Sequence, residues 1–362
     1  MKKFLTLVAI LGLGLYATES SAQLFRLTTT DYGDLAGGQQ AEWDTALSDI
    51  EASINKDFPS SQNPDRLMKG MANSSVMAGK GIGSDYASRM EIALIGASVG
   101  VGADMEKDKS SDSDISGVGI QGGIVIGTNL SWMDAEKILG LYTDRLNVYA
   151  NYLGHSLDRD LGDNGDKLNA KLKSFGVHAS YDLVLPKGSS MLRWGGVKVH
   201  TGYEYNSTKL KFTTSISEPI NENVGGATVS GTLDGKPTAK IDAITHSIPI
   251  EISTNVQLLY FLSLYTGLGV DINFGNAKGG GSLNANPTEL DLDTDNDGNV
   301  DGTGPTVQAE ANVDGSGKAN SFLYRAFAGV QINVPFVNIF VQADKALGTE
   351  LIGATAGVRF VY

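Results

Sequence analysis

An acidic segment, DLDTDNDGNVDG, begins at Asp291 and carries the residue types best suited to hold a metal ion. Oxygen-bearing side chains recur at alternate positions, and Gly298 permits the sharp turn that would bring them together. Counted from the first loop position, the candidate ligands are Asp293, Asp295, Asp297, the backbone carbonyl of Asn299, and Asp301. Ca²⁺ takes hard oxygen ligands at ~2.3–2.6 Å, so this spacing predicts a weak calcium site, with a dissociation constant of ~10⁻⁴ to 10⁻³ M.

The acidic segment resembles the first nine positions of an EF-hand-type calcium loop and departs from that pattern at the twelfth. Gly304 stands where the bidentate Glu is expected, and no helix-forming run flanks the loop. The segment is therefore more similar to the Asp-rich calcium loops of extracellular repeat modules, with Glu310 or Asp314 as more distant ligands. The alternative is a solvated acidic loop, although the five acidic side chains from Asp291 to Asp301 would then repel one another.

A second candidate is the group His178, Ser180 and Asp182, on one face of a predicted strand. A His two residues before a Ser is similar to the arrangement in outer-membrane lipid A deacylases, which implies a lipid-modifying hydrolase. Side chains at i and i+2 of a strand lie ~6–7 Å apart, however, beyond the ~2.6–3.2 Å of a hydrogen bond. A structural role in a polar interior is therefore favoured. The other histidines, His155 and His246, are not at metal-ligand spacing, so no transition-metal site is predicted.

The elements that position these residues are predicted from an alternation of apolar and polar side chains. In 262–274, every second residue from Leu262 to Phe274 is apolar except for one Thr, and the opposite set is mostly Gly and polar residues. In 322–334 the same alternation places Arg325 opposite the apolar face. Both runs exceed the ~9–11 residues that a tilted strand needs to cross a bilayer. A charge at the lipid midplane would cost ~2–4 kcal/mol, so Arg325 must face the interior.

Composition supports a membrane β-barrel and argues against other classes of protein. The chain has 28 Lys and Arg against 41 Asp and Glu, and this net charge of −13 argues against nucleic acid as a partner. Gly accounts for 45 of its 362 residues, a larger share than the typical ~7%, and its charged fraction of 19% falls below the usual ~25%. With no Cys, the chain has neither disulfides nor thiolate chemistry. A low fraction of charged residues and a high content of Gly are typical of membrane barrels, in which only alternate residues of each strand face lipid.

Ten strands can be marked by this pattern, at 88–104, 116–128, 144–157, 168–184, 194–212, 238–254, 262–274, 322–334, 337–346 and 350–362. Their connections alternate between short turns and long polar segments, of which the longest are surface loops at 213–237 and 276–317. Outer-membrane barrels have long loops outside and short turns in the periplasm. The prediction is an all-β, antiparallel transmembrane β-barrel of about ten strands, within a range of eight to twelve. A soluble β-sandwich is the alternative, although its strands are usually ~5–6 residues long.

Two segments precede the predicted barrel at 88–362. Residues 1–22 combine a positive start, a short apolar run and small residues at the end, which is typical of a secretory signal peptide. Residues 23–87 are predicted as a helical segment, in which Trp43 and Leu47 fall at helical spacing and a second candidate helix follows. Such amphipathic helices are expected to form a plug in the barrel mouth or a lid over its periplasmic end.

The final strand ends on Phe360, Val361 and Tyr362, with Val358 and Ala356 at alternate positions before them. This end resembles the C-terminal signal by which the assembly machinery recognises Gram-negative outer-membrane barrels, although Phe is the usual last residue. The resemblance implies an outer-membrane location with surface-exposed loops and the barrel assembly machinery as a partner. The whole chain also resembles leptospiral surface proteins of the adhesin type, which implies host extracellular matrix or plasma proteins as partners.

The predicted interior is lined by ionisable side chains, namely Asp182, Lys198, Glu204, Glu251, Asp271, Arg325, Arg359, His178 and His200. Eight strands leave room only for side chains, and open channels belong to ~16–18 strands, so a wide pore is disfavoured at ten. The predicted function is therefore non-enzymatic: display of acidic surface loops, one of them calcium-bound, for adhesion to host or environmental ligands. A narrow or gated solute channel is the alternative, and an outer-membrane lipid-modifying hydrolase comes third.

Overall fold

Antiparallel strands make up most of the computed structural model, which describes residues 25–57, 64–87, 92–105, 116–161, 166–189 and 191–362. The helices are α1 (Gly37–Asp57) and α2 (Pro64–Ala78), with short 3₁₀ turns at Leu130–Trp132 and Thr143–Arg145. The strands are β1 (Phe25–Asp31), β2 (Ala93–Asp104), β3 (Gly117–Asn129), β4 (Lys137–Ile138), β5 (Leu141–Tyr142), β6 (Leu146–Asp160), β7 (Lys167–Val184), β8 (Lys187–Gly188), β9 (Leu192–Thr213), β10 (Ile216–Val224), β11 (Ala227–Gly235), β12 (Thr238–Leu258), β13 (Leu262–Asn284), β14 (Thr288–Asp293), β15 (Gly302–Lys318), β16 (Phe322–Val334), β17 (Val337–Ala346) and β18 (Leu351–Val361). The signal peptide predicted at 1–22 lies outside the described residues.

Ten of these strands close into a barrel. They pair in the order β2, β3, β6, β7, β9, β12, β13, β16, β17 and β18, and β18 pairs with β2 to complete the ring. The predicted all-β transmembrane barrel of about ten strands is therefore confirmed. Neither helix among the described residues is long and apolar enough to cross a bilayer.

The two faces of the barrel wall differ as the alternation predicted. Apolar side chains face outward and are exposed, as Ile332 is at 44% and Phe360 at 56%, whereas Arg325 is fully buried. The ionisable side chains predicted to face the lumen are largely buried there, from Lys198 to Arg359. A protein in water would not expose this apolar belt, so the outward face is the one that contacts lipid.

The connections divide between the two ends of the barrel. At the long-loop end, β9 is followed by the hairpin of β10 and β11, and β13 by the hairpin of β14 and β15. At the short-turn end, single turns join β12 to β13 and β16 to β17, and Tyr362 bonds to Ala93 nearby. This division is the one predicted from the connection lengths.

The segments predicted as long surface loops at 213–237 and 276–317 are largely strands, which is a correction to the sequence prediction. Strand β13 continues to Asn284, and β15 pairs with the half of β13 nearer the long-loop end. Strand β14 then pairs with β15, and β11 pairs with β14. Strand β1, from the other end of the chain, pairs with β15. We call β1, α1, β10, β11, β14 and β15 the cap.

The cap has a hydrophobic core of its own. Trp43 and Leu47 of α1 are buried against the sheet, with exposures of 0% and 5%. They pack in one cluster with Val229 of β11, Leu292 of β14 and Val307 of β15. Burying large apolar side chains contributes about 1.5–3 kcal/mol each, so this core explains why the long connections form an ordered sheet.

Helix α2 passes through the barrel lumen. At the long-loop end, the Asp65 carboxylate accepts a hydrogen bond from the Ser316 amide at 2.7 Å. Beyond the helix, the chain continues to Tyr86, whose carbonyl accepts from Asn255 near the short-turn end, at 2.9 Å. The segment of residues 64–87, which we call the plug, thus runs from the long-loop end toward the short-turn end. Helix α2 thus lies inside the barrel, whereas α1 packs in the cap and not over the end that contains Tyr362.

Glycines of the wall let the plug approach closely. A Cβ atom at Gly102 or Gly119 would lie 2.3 or 2.4 Å from the Ser74 carbonyl oxygen. A Cβ atom at Gly317 would lie 2.0 Å from the backbone nitrogen of Lys69. These contacts are shorter than any van der Waals separation, so only Gly fits there.

Candidate functional site

Lys80 forms the centre of a polar network in the lumen. Its Nζ lies 2.8 Å from Glu204 Oε2 and 3.2 Å from Asp271 Oδ1, and it donates to the Ser247 hydroxyl at 2.7 Å. The lysine follows α2 directly, while its partners project from β9, β13 and β12. The plug is therefore tied to three strands of the wall through one fully buried ammonium group.

Two arginines of the wall extend this network. Arg325 contacts the carboxylates of Glu251, Asp271 and Asp344, with 3.2 Å between its Nε and Asp271 Oδ2. Arg359 stacks on Phe340 at 3.8 Å and donates to the Ser84 carbonyl of the plug. Buried charges persist only where partners compensate their desolvation, and here plug and wall supply one another's partners.

An aromatic cluster fills the lumen beside the network. The Tyr86 ring lies 5.5 Å from Tyr265 and 4.7 Å from Phe327 and His200, measured between centroids. The Tyr86 hydroxyl donates to Glu251 at 2.7 Å. Rings and ion pairs together occupy the middle of the barrel, so the lumen is filled by side chains, as expected for a narrow barrel.

The structure separates the residues that were considered as a hydrolase group. The Ser180 hydroxyl accepts from Asn147 at 3.3 Å, and Asp182 lies 3.8 Å from Lys198. Among the described residues, His178 Nε2 has no hydrogen-bond partner and faces Gly83 of the plug. His178 and Ser180 are both buried in the lumen, where no lipid surface reaches them. This arrangement gives the hydrolase reading no support.

The acidic residues predicted as a calcium site lie in the hairpin between β14 and β15. One ligand oxygen each from Asp293, Asp295 and Asp297 lies within 4.8 Å of the others, close enough to share a cation. Asn296 and Gly298 turn the backbone with φ of +59° and +90°. The sequence predicted a sharp turn at Gly298, and the left-handed conformation found there lets the three carboxylates converge.

Hydrogen bonds within the hairpin shape the cluster. The Asp293 carboxylate accepts from the Gly298 amide at 2.9 Å through Oδ2, whereas its shielded Oδ1 has no hydrogen-bond partner among the described residues. Asp297 accepts from the amide of Asn299 at 2.8 Å. This oxygen and the two neighbouring carboxylates are the kind of ligand that Ca²⁺ takes.

The other predicted ligands are not in this cluster. Asp301 accepts from the amide and hydroxyl of Thr294, at 2.8 and 2.5 Å, and these bonds lower the pKa of its carboxyl group. Glu310 accepts from Gln308 and Asp314 from Asn312, both far along β15. At ~3.3 Å per residue, eight residues of strand separate Glu310 from the hairpin by ~26 Å, so its predicted role as a distant ligand was wrong.

Contacts to other parts of the cap hold the hairpin in place. The residues that make these contacts were not identified from the sequence. Asn296 donates to the Gly226 carbonyl at 2.5 Å, which joins the hairpin to the turn between β10 and β11. Asp34, after β1, accepts from the Thr303 amide at 2.9 Å. Both contacts span large sequence separations, so no local motif could have revealed them.

Comparison with known protein families gives a match to the family described as Lsa36-like, over residues 21–362. That range covers nearly the whole chain. The chain belongs to the Lsa36-like family. The matched range includes the residues of the cap, the plug and the barrel of this Lsa36-like protein. No curated protein sequence matches the chain.

Solved structures similar to this Lsa36-like protein are membrane β-barrels of low sequence identity. The translocator domain of autotransporter NalP from Neisseria meningitidis is 12% identical, with a TM-score of 0.30, covering 90% of this chain and 100% of that one. The transport unit of autotransporter AIDA-I from Escherichia coli is 9% identical, with a TM-score of 0.31 and coverages of 82% and 99%. The toluene transporter TbuX from Ralstonia pickettii is 9% identical, with a TM-score of 0.24 and coverages of 82% and 99%. With its closed wall and apolar belt, the Lsa36-like protein is an integral membrane β-barrel.

Proposed function

We propose that this Lsa36-like protein displays its cap outside the cell, where the cap binds extracellular ligands such as host matrix or plasma proteins. The observation that carries this proposal is the contrast between a lumen filled by the plug and an ordered cap at the long-loop end. A filled lumen leaves the cap as the surface available to partners. The family match and the resemblance to leptospiral adhesins support the same reading.

The proposed export route places the long-loop end outside. A signal peptide at 1–22 would direct the chain to the periplasm, and the apolar, aromatic last strand ending at Tyr362 would engage the barrel assembly machinery. In this orientation the short-turn end stays periplasmic, as is usual for such barrels. A Cys introduced at Asn299 should react with a membrane-impermeant thiol reagent on intact cells, and reaction only after permeabilisation would contradict the orientation.

We propose that Ca²⁺ orders the acidic hairpin of the cap. Asp293, Asp295 and Asp297 would supply carboxylate oxygens and Asn299 its backbone carbonyl, with the unpartnered Asp293 Oδ1 supporting the assignment. Asp301 would join only by giving up its bonds to Thr294. Bound Ca²⁺ would neutralise the hairpin and so fix the surface that partners meet.

A binding experiment tests this function. The refolded protein would be passed over a panel of immobilised matrix and plasma proteins, with albumin as the blank, in Ca²⁺ and then in chelator. We expect saturable binding to at least one panel member, weakened by chelator and by D295N/D297N. The matched variant D134N/E136Q, which neutralises two exposed acids at the short-turn end, should bind as the wild type does. If folded protein bound no panel member more strongly than albumin, the adhesion proposal would be overturned. If binding were equal with and without Ca²⁺, adhesion would not depend on the ion.

A gated channel is the second candidate, favoured by a cavity at the short-turn end. This cavity of about 670 Å³ is lined by polar residues that include Asn129, Asp182, Lys198 and Asn255, and it leads to the plug. No disulfide holds the plug, because the chain has no Cys. Conductance of the refolded protein in a planar bilayer decides between the candidates. Reproducible unitary steps would favour a channel, whereas silence from folded protein would favour surface display.

A further inference from the structure

Strands β7, β9, β12 and β13 extend beyond the membrane at the long-loop end. Their outward face carries one aromatic row, which crosses all four strands through directly paired positions, namely Phe175, Tyr205, His246 and Phe274. Aromatic residues form girdles at the boundary between hydrocarbon and head groups. The residues beyond this row on the same strands therefore lie outside the hydrocarbon.

Lysines follow on the same face, at a height that water reaches. The row four residues from the aromatic row is Lys171, Lys209, Asp242 and Lys278. The row two residues farther is Asn169, Lys211, Lys240 and Gly280. Four and six residues of strand span ~13 and ~20 Å, which a tilt of ~35–45° turns into heights of ~10 and ~15 Å. The head-group layer extends only ~5–8 Å beyond the hydrocarbon, so a ligand of these lysines would come from water.

The lysines line a groove of about 920 Å³, which we call the lysine groove. Its charged lining residues are Lys171, Lys209, Lys211, Lys240 and Lys278, against Asp65, Asp242 and Asp314. The groove is thus net positive on a chain whose net charge is −13. Basic patches of this kind are typical binding sites of polyanions.

Most of these ammonium groups have no acidic partner. Lys209 forms an ion pair with Asp242 at 2.6 Å. Among the described residues, no acidic side chain lies within ion-pair distance of the other four, Lys171, Lys211, Lys240 and Lys278. Lys211 is also directly opposite Lys240, and like charges at opposed positions destabilise a sheet. Both are exposed, so a bound polyanion would relieve their repulsion.

The spread of the lysines and the residues among them favour a polysaccharide. The lysines lie on four adjacent strands, and three spacings of ~4.8 Å separate β7 from β13 by ~14 Å, too far for one inorganic ion to contact them all. Neutral polar side chains lie between them, namely Asn169, Thr238, Ser282, Asn312 and Ser316. Amides and hydroxyls both donate and accept hydrogen bonds, as sugar hydroxyls do.

Two other kinds of polyanion fit this lining less well. Nucleic acid bases stack on aromatic rings or Arg, and none of the described residues that line the groove is of either type. An acidic protein would need apolar or aromatic anchors in pockets. The large apolar residues of the lining are Leu210 and Ile241, and neither is exposed.

We propose that the lysine groove binds a sulfated polysaccharide, with its ammonium groups on the sulfates and its amide and hydroxyl side chains on the sugar hydroxyls. Lys contacts such groups as a compact point charge with three donors. A sulfate presents three oxygens to neighbouring lysines, whereas a carboxylate presents two. The proposal rests on the outward orientation of the long-loop end in the proposed function, which brings the groove to extracellular polysaccharides.

Fluorescence anisotropy of a labelled heparin hexasaccharide, titrated with the detergent-solubilised full chain, tests this proposal. We expect saturable binding that weakens as salt is raised, because exposed charges are screened. Removing the sulfates from the hexasaccharide should weaken binding by about tenfold or more. K211Q/K240Q should lose about tenfold in affinity, or ~1.4 kcal/mol, because it removes charge-assisted hydrogen bonds. K211R/K240R keeps both charges and should retain binding.

Two further variants make the loss specific to the groove. K171Q/K278Q removes two other groove lysines that have no ion pair among the described residues, and it should weaken binding by a similar factor. K137Q/K187Q removes two exposed lysines at the short-turn end and should equal wild type. Each variant is compared only after it shows the mobility of a folded barrel.

Four outcomes would overturn the proposal. These are wild-type affinity in both folded groove variants, equal affinity for the desulfated hexasaccharide, equal affinity for a hexasaccharide that carries only carboxylates, and tighter binding of single-stranded DNA of the same charge. Failure of the proposed function would look different. Adhesion to matrix and plasma proteins should weaken in chelator and in D295N/D297N, whereas hexasaccharide binding should persist in both.

Discussion

The charges inside the barrel and those of the acidic hairpin are the same chemical groups in opposite settings. Asp271 is fully buried and lies between Lys80 and Arg325, so its charge is met within the protein. Asp295 and Asp297 are exposed and turn toward one another, and the bonds they accept come from amides of their own hairpin. Charge that is compensated internally stabilises the plug, whereas charge that lacks a counterion is available to a ligand.

The same contrast predicts that the free energy needed to disrupt the lumen is larger than that needed to open the hairpin. Removing one member of a buried ion pair leaves the others uncompensated, at a cost of about 3–5 kcal/mol. An exposed loop with few apolar contacts opens at low free energy and gains order from whatever binds it. We therefore expect the plug to be the rigid part of the Lsa36-like protein and the hairpin the adjustable part.

The largest effect should come from R325M in the lumen. The change strands the carboxylates of Glu251 and Asp344, which Arg325 compensates in the wild type, and leaves Asp271 with Lys80 alone. We expect the free energy of unfolding to fall by about 3–5 kcal/mol. Urea titration in detergent, followed by the shift in mobility of the folded barrel, would measure it.

A paired variant keeps this test specific to charge. R325M/D344N has one stranded carboxylate fewer, so it should recover part of the loss despite carrying a second substitution. If R325M and the double variant were equally destabilised, lost packing rather than uncompensated charge would explain the effect, and the comparison of the two regions would fail.

A steric change in the wall should have the next largest effect. G119V places carbon atoms where the Ser74 backbone of the plug now lies, since even a Cβ would be 2.4 Å from its carbonyl oxygen. Overpacking of this kind costs about 1–3 kcal/mol and would displace α2 from the wall. We expect lower stability together with greater conductance in planar bilayers. G38A, at an exposed helix position with nothing within 4 Å of the added Cβ, is the control and should change neither quantity appreciably. Loss of stability with no gain in conductance would mean that the lumen stays filled without the contact.

Removal of Ca²⁺ should act on the hairpin alone. At 5 mM Ca²⁺ and the predicted affinity, binding would stabilise the hairpin by about 1–2 kcal/mol. Hydrogen exchange should therefore show faster exchange of amides in 293–301 in chelator, with no change in α2. D295N/D297N should exchange rapidly in both conditions. Equal exchange rates with and without Ca²⁺ would leave the hairpin as a solvated acidic turn.

The barrel could be predicted from the sequence because each strand carries its own evidence. The predicted ranges 322–334 and 337–346 have the bounds of β16 and β17, since lipid on one face and polar lumen on the other impose strict alternation. Arg325 further fixed the inward face of its strand. No long-range information was needed to assign these elements.

The cap could not be predicted in the same way. Its strands face water on one side and α1 on the other, so Val229 and Leu292 stand among Thr, Asp and Gly without a lipid-length run. Strand β1 and its partner β15 are separated by more than 270 residues. Such pairing is decided by the tertiary core around Trp43, which no local pattern contains.

The candidate site shows the same limit on a smaller scale. The spacing of Asp293, Asp295 and Asp297 predicted a cluster, and the structure brings these three together. The spacing did not reveal that the Thr294 hydroxyl would donate a hydrogen bond to Asp301. This hydroxyl competes with a cation for the same carboxylate oxygen. Strand pairing likewise places Glu310 opposite Asn284, away from the hairpin.

The smallest effect should come from an exposed ion pair, which provides the opposite extreme to Arg325. Lys345 lies 2.9 Å from Glu350 across the turn between β17 and β18, and both side chains are substantially exposed, at 43% and 65%. Water and salt screen such a pair, and ordering two long side chains offsets much of its attraction. K345Q should therefore change the free energy of unfolding by less than about 1 kcal/mol, and by less still at high salt. The same urea titration used for R325M would measure it. A loss comparable to that of R325M would mean that burial does not divide the charges of this protein into compensated and available groups.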